Sequence, residues 1–216
     1  MKKNLLKSLK QIEKKIDHSS LNDAFGQIKE YIGSLPDDEE KIGDLGEFIL
    51  PKSINGLEEA FVIYSDGACR GNPGPGAYGC FVQDAQGTVL FEKAEVFKDT
   101  TNNRMELLGV IEGLTTLGKN LNEQGNSIGQ YKIVVVTDSK YVVDGVSKWM
   151  AGWKARGWKK ADKKVPENIE MWKKMDLLKE RIGDNLTLEW VKGHSGHPQN
   201  ERCDQLANEA LDNEGF

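Results

Sequence analysis

Cysteine is scarce in this chain: Cys69, Cys80 and Cys203 are the only three among 216 residues. An odd number without metal-type spacing argues against a disulfide framework and points to free thiols in a reducing compartment. Long apolar runs are missing as well. The opening MKKNLLKSLKQIEKK sets lysines before leucines, as a signal peptide does, but Lys7, Lys10 and Glu13 interrupt the run. A cytoplasmic location is therefore the expectation. No internal repeat is present. With 38% hydrophobic and 29% charged residues, the composition excludes a disordered or membrane-embedded chain. The length leaves room for one ordinary domain with an appendage, or at most two small domains. A net positive charge is lacking too, since the formal charge is −5. Taken alone, that value argues against a nucleic-acid partner.

The average hides a local reversal. Between positions 148 and 164 stand Lys148, Lys154, Arg156, Lys159, Lys160, Lys163 and Lys164, against the single acid Asp162. Screening confines each charge to about 8–10 Å, so this local excess outweighs the chain total. Trp149, Trp153 and Trp158 alternate with these residues. On composition alone the lysines read as a solvated face, and one or two tryptophans as packing.

Two textures divide the chain. Residues 1–57 read as a helical extension. Leu5, Leu9, Ile12 and Ile16 recur at helical spacing, and Ser20 caps a second helix carrying Leu21, Phe25, Ile28 and Ile32. Pro36 and Asp37–Glu40 break the pattern; Ile42, Leu45 and Ile49 suggest a third short helix, and 51–56 a linker. Residues 58–216 form the main domain. Strands are predicted at AFVIYSD, AYGCFVQ, TVLFEKAEVFK, YKIVVVTD and LTLEW, with a Gly/Pro-rich turn after the first. The continuous apolar run IVVV marks a strand covered on both faces. Helices are expected over 102–117, from Ser139, over 167–178 and over 200–211. The order β-β-β-α-β-α-α-β-α gives an α/β class: a mixed sheet flanked by helices.

Several acids stand where packing does not need them. Asp66 and Asp138 end the apolar runs FVIYS and IVVVT, the strand ends at which α/β sheets place ligand sites. Either alone also reads as a turn or helix cap, Asp138-Ser139 especially. Glu106 projects beside the helical stripe of Met105 and Leu108, which a solvated glutamate would also do. Asp204, one turn into the last helix, also suits the helix dipole. If the four meet, their repulsion calls for a hard cation. Spacing leaves that open. A zinc site from His194, His197 and Cys203 is the weaker alternative, lacking a fourth ligand.

The blocks YSDGACRGNPGPG, TTNNRMEL, VTDSKYV and WVKGHSGHPQNERCD resemble, in order and approximate spacing, the hallmark segments of type 1 ribonuclease H. The likeness runs from about residue 60 to the C-terminus. The Gly-rich turn is no P-loop, lacking a Gly-Lys-Ser/Thr ending. The resemblance implies the ribonuclease H fold, with a five-stranded mixed sheet. It also implies an endonuclease that cuts the RNA strand of RNA–DNA hybrids without sequence preference, leaving 5′-phosphate and 3′-hydroxyl ends. Asp66, Glu106, Asp138 and Asp204 would bind two catalytic ions, Mg²⁺ or in its place Mn²⁺. His194 would be a mobile residue assisting proton transfer or product departure. Tyr141, Trp149 and Trp153 would line the DNA side, with Thr101 and Asn168 near a DNA phosphate and Lys159 and Lys160 on the basic ridge. Cys69, Asn72, Asn102 and Lys140 would approach the RNA, where 2′-hydroxyls distinguish it from DNA.

Two departures stand out. Many members carry Arg two residues before the matching Thr, where this chain has Asp99 beside Lys98. The 1–57 extension lacks the aromatic pattern of the hybrid-binding module that some members carry. It is expected to pack on its own domain, on another copy or on a protein partner. A non-catalytic hybrid binder and an integrase-like DNA-strand transferase are the competing readings on this fold.

Overall fold

The computed structural model describes residues 9, 12–13, 21–34, 50–193 and 195–216. The chain divides into two compact units, Met1–Asp44 and Leu45–Phe216.

In the first unit, helix α1 (Asn22–Ser34) forms where the second amphipathic stripe predicted it. Phe25 and Ile32 bury against Leu9, and Lys29 Nζ lies 2.6 Å from Glu13 Oε1. The expected stripes are only partly covered, for Ile12, Leu21 and Ile28 are exposed. Leu5, Ile16, the Ser20 cap and the third expected helix, on Ile42, Leu45 and Ile49, lie outside the described residues.

The second unit holds a five-stranded sheet. Its strands are β1 (Ala60–Cys69), β2 (Gly74–Asp84), β3 (Val89–Thr100), β4 (Lys132–Thr137) and β5 (Leu186–Trp190). Their order across the sheet is β3-β2-β1-β4-β5. The first three form an antiparallel meander, while β4 and β5 join β1 in parallel. This is the mixed α/β sheet that the sequence predicted. Most of the segment expected as a Gly/Pro-rich turn is strand, because β1 and β2 continue their ladder as far as Cys69–Gly76.

Alternation explains why β4 is apolar throughout. Ile133 and Val135 enter the large core on one face, and Val134 and Val136 enter the smaller core on the other. The large core is closed by α2 (Asn102–Glu123), by α3 (Lys140–Asp144), a five-residue π turn (Gly145–Trp149) and α4 (Met150–Ala155), and by α5 (Ile169–Ile182). The other face is covered by α6 (Pro198–Asn213) and by Ile54. Residues 51–56, expected as a linker, are therefore part of this body: a 3-10 turn at Lys52–Ile54 leaves Ile54 only 2% exposed. Among the described residues no helix is long and apolar enough to cross a membrane.

Candidate functional site

Asp66 sits near the end of β1, 6% exposed, facing Gly79 across the ladder. Two close approaches decide what surrounds it. A Cβ on Gly67 would lie 2.6 Å from the Glu106 main-chain nitrogen, so the start of α2 rests directly on β1. A Cβ on Gly79 would overlap the Cys203 carbonyl oxygen, so α6 rests as closely on β2 and brings Asp204 to the same rim. Only glycine permits backbone contact at this range. From the far side, Asp138 ends β4 one strand away, its carboxylate packed against Gly193.

The electrostatics report the same convergence. Burial raises the Asp66 carboxyl to about 8, as do the charges of Asp138, then Asp204 and Glu106; the Gly67 N–H, 2.7 Å from Oδ1, pulls the other way. Glu106 is raised as well, by burial first and by Asp138, against a hydrogen bond from Ser139. Its two oxygens are held from opposite sides. Asn102 Nδ2 donates to Oε1 at 2.8 Å and Ser139 Oγ to Oε2 at 2.5 Å. Ser139 also caps α3, its Oγ accepting from the Val142 N–H. One serine thus fixes both the end of β4 and a carboxylate on α2.

Among the described residues no three His, Cys, Asp or Glu side chains stand together as a preformed metal cage. The acids gather round Asp66 without closing on one point, as mutually repelling groups do. An all-oxygen donor set, with no cationic side chain among the groups acting on Asp66, suits a hard divalent ion that keeps water and takes further ligands from a substrate phosphate. Nitrogen and sulfur ligation fits poorly. His197 packs its ring 5.6 Å from Tyr64, and burial pushes the fully enclosed Cys203 thiol well up. His194 lies outside the described residues.

Of the other expected site residues, one group gathers beside Glu106. Asn72 Oδ1 accepts from the Asn102 N–H at 3.3 Å, Thr101 caps α2 with its carbonyl, and Cys69 Sγ lies 3.8 Å from the Thr100 carbonyl. A second group forms the ridge. Tyr141 Oη accepts from Asn168 Nδ2 and from Trp172 Nε1, both at 3.0 Å, and the rings of Tyr141, Trp149, Trp153 and Trp172 stack edge to face or tilted. A groove of about 550 Å³ runs between Tyr141, Trp149, Trp153, Arg156 and Lys160. Trp153 is mostly core, at 9% exposure. Lys154 departs from the basic face, being paired with Asp176 and Glu180; Lys159 stands exposed.

Three contributors carry little signal in the sequence. Ser139 is visible there only as a cap. Trp190 donates its indole N–H to the Asp138 carbonyl at 2.8 Å, with Lys140 Nζ 4.9 Å from its ring. Asn208 Nδ2 reaches Asp204 Oδ1 at 2.9 Å, a contact only the helical turn between them reveals.

The RNase H family pattern matches residues 58–212. The ribonuclease H of Alcanivorax borkumensis is 45% identical over 154 residues, 70% of this chain and 91% of that protein. That of Ruegeria pomeroyi is 47% identical over 147 residues, 67% and 87%. Among solved structures, LC9-RNase H1, described as a type 1 RNase H with the type 2 active-site motif, superposes with a TM-score of 0.61 at 30% identity, covering 76% of this chain and 75% of that one. LC11-RNase H1 in complex with an RNA/DNA hybrid gives 0.54 at 29% identity, covering 71% and 98%. The acid-lined rim thus lies within the matched span, and the chain belongs to the ribonuclease H family and is a nuclease.

Proposed function

We propose that this nuclease hydrolyses the RNA strand of RNA–DNA hybrids at the rim formed by Asp66, Glu106, Asp138 and Asp204, leaving 5′-phosphate and 3′-hydroxyl ends. The seating of α2 on Gly67 and of α6 on Gly79, which brings Glu106 and Asp204 to the rim of buried Asp66, is the observation that carries this reading. It is joined by the hybrid-bound state of the related LC11-RNase H1. The four carboxylates would hold two divalent ions, Mg²⁺ or in its place Mn²⁺. When bound, such ions lower the pKa of an attacking water and offset charge on the departing 3′ oxygen.

The chain's own side chains do the remaining work. Asn102 and Ser139 hold Glu106 in one rotamer, so that its charge stays aimed at the rim. Close packing of α2 and α6 keeps Asp66 dry, which strengthens every interaction made there. His194 would take or deliver a proton as the product leaves. The groove along Tyr141, Trp149 and Lys160 would take the DNA strand, giving its sugars aromatic area and its phosphates positive charge; Lys159 extends that charge. Thr101 and Asn168 would meet a DNA phosphate, with Asp99 weakening that grip or Lys98 compensating. Trp153 contributes its exposed edge. Cys69, Asn72, Asn102 and Lys140 would face the RNA. Backbone contacts of this kind read no base sequence. The extension, expected to reach residue 57 although 51–56 pack in the second unit, would serve packing on its own domain, on another copy or on a partner, and the three free thiols suit the cytoplasm.

Labelled RNA–DNA hybrid, duplex DNA and duplex RNA, each incubated with and without Mg²⁺, test the proposal. Cutting of hybrid RNA alone, and only with the metal, is expected. Binding without cutting would leave a passive hybrid binder, and processing of duplex DNA a strand transferase.

A further inference from the structure

We propose that Asn208 is a positioning residue that presents Asp204 to the divalent ion in a single orientation. This rests on the reading of Asp204 as an ion ligand. Asn208 lies one turn beyond Asp204 on α6 and is half-buried. Its Nδ2 donates one proton to Asp204 Oδ1 and directs the other at the Asp204 main-chain carbonyl, both at 2.9 Å. One amide therefore grips the side chain and the backbone of the same residue. The backbone bond anchors the amide, and the bond to Oδ1 sets the direction of the Asp204 carboxylate.

The consequence is chemical. With Oδ1 held by a neutral donor, the Asp204 carboxylate keeps one orientation, and the Asp66 carboxyl feels its charge. Glu106, by contrast, has both oxygens held, by Asn102 and by Ser139. The rim therefore offers two kinds of acid: Glu106 restrained on both sides, and Asp204 restrained on one. A carboxylate held in one orientation suits an ion that retains its waters, whereas a free carboxylate could rotate to chelate or turn to solvent. Asn208 removes those alternatives before the ion arrives, so the entropy of ordering Asp204 is not lost on binding.

The test is Mn²⁺ binding to the full chain without nucleic acid, by calorimetry, combined with the Mn²⁺ dependence of hybrid cleavage. Asn208→Leu keeps the branched shape and removes the donor; Asn208→Ala is the second variant should the first fold poorly. Either should weaken Mn²⁺ binding about tenfold and raise the Mn²⁺ concentration for half-maximal cleavage to match. Saturating Mn²⁺ should recover most of the rate lost. In an Asp204→Asn background the same change should have no further effect on the ion. An affinity unchanged by Asn208→Leu, or an equal loss in the Asp204→Asn background, would overturn the assignment. If the parent chain bound no Mn²⁺ at all, the ion-site reading would fall, and this inference with it.

Discussion

At the rim of the sheet, four acids are placed by backbone lying on backbone; on the ridge, charges stand at the ends of long side chains over an aromatic base. The rim uses Gly67 and Gly79 to bring α2 and α6 within contact of the strands, and its side chains are restrained by Asn102, Ser139 and Asn208. The ridge restrains its rings, through the Tyr141 hydroxyl and the stacked tryptophans, but leaves Lys159 in water. Under the proposed function, the difference follows from what each would have to do. Stabilising a reacting phosphate requires groups fixed to within fractions of an ångström before the reaction starts. Attraction to a polyanion tolerates several ångströms and sums over many charges. Loss of one rim group should therefore be close to all-or-none, and loss of one ridge group graded.

The sharpest break is Asp66→Asn, which keeps the shape and removes the charge on which the other acids converge. Cleavage should fall by several kcal/mol, about a thousandfold or more, while hybrid binding stays within severalfold. Single-turnover rates beside a binding isotherm decide it, and full rates in this variant would remove the rim from the chemistry. The same residue governs stability. Burial, then Asp138, raises its carboxyl from 3.8 to about 8. Because the folded value is the higher one, its proton-linked stabilisation is complete below about pH 4 and is lost as the pH rises through about 8. Without divalent ions, the denaturation midpoint should thus fall between about pH 5 and pH 9. Asp66→Asn should flatten that fall. A parent midpoint that rose with pH would contradict the burial argument.

Gly79→Ala comes next, since it touches no acid. The added methyl overlaps the Cys203 carbonyl and must push α6 outward, carrying Asp204 with it. Overpacking of this kind costs about 1–3 kcal/mol of stability, and a displacement near 1 Å at a reacting centre costs about a hundredfold in rate. Rates unchanged at a temperature where the variant is folded would mean that the rim tolerates movement and resembles the ridge after all.

Much of this contrast is legible in the sequence, and the remainder is hidden for physical reasons. Alternation and helical periodicity reveal the sheet, and the apolar run of β4 gives away its central place, because burial on both faces leaves no polar phase. Asp66 and Asp138 show themselves as acids ending apolar strands. Glu106 and Asp204 do not; each looks like a solvated helix acid until α2 and α6 are seen resting on glycines, and no one-dimensional spacing encodes which helix meets which strand. Asn208 is further hidden, since an asparagine four residues after an aspartate has many reasons to be there. Composition misleads at Lys154, whose charge reads as part of the basic run although Asp176 and Glu180, distant in sequence, absorb it.

Lysines that look alike in sequence are thereby separated by the fold. Replacing both Lys159 and Lys160 by Ala should weaken hybrid binding and reduce the slope of log affinity against log salt by up to about 0.9 for each phosphate no longer neutralised. Lys154→Ala should leave the slope unchanged. Its ammonium already has two carboxylate partners and lies toward α5, where Met150, Asp176 and Glu180 line a separate hollow, away from the groove of Tyr141 and Trp149. Asp176 is buried, but Lys154 itself is exposed, so water screens both pairs and they add little to stability. The variant should therefore bind, cut and melt close to the parent, and fluorescence titrations at two salt concentrations suffice to check it. If Lys154→Ala lowered the salt slope as much as Lys160→Ala, charge on the ridge would act by proximity alone and pairing would be irrelevant. The expected silence of Lys154 requires that position within the fold, and not membership of a basic run, decides which lysines meet phosphate.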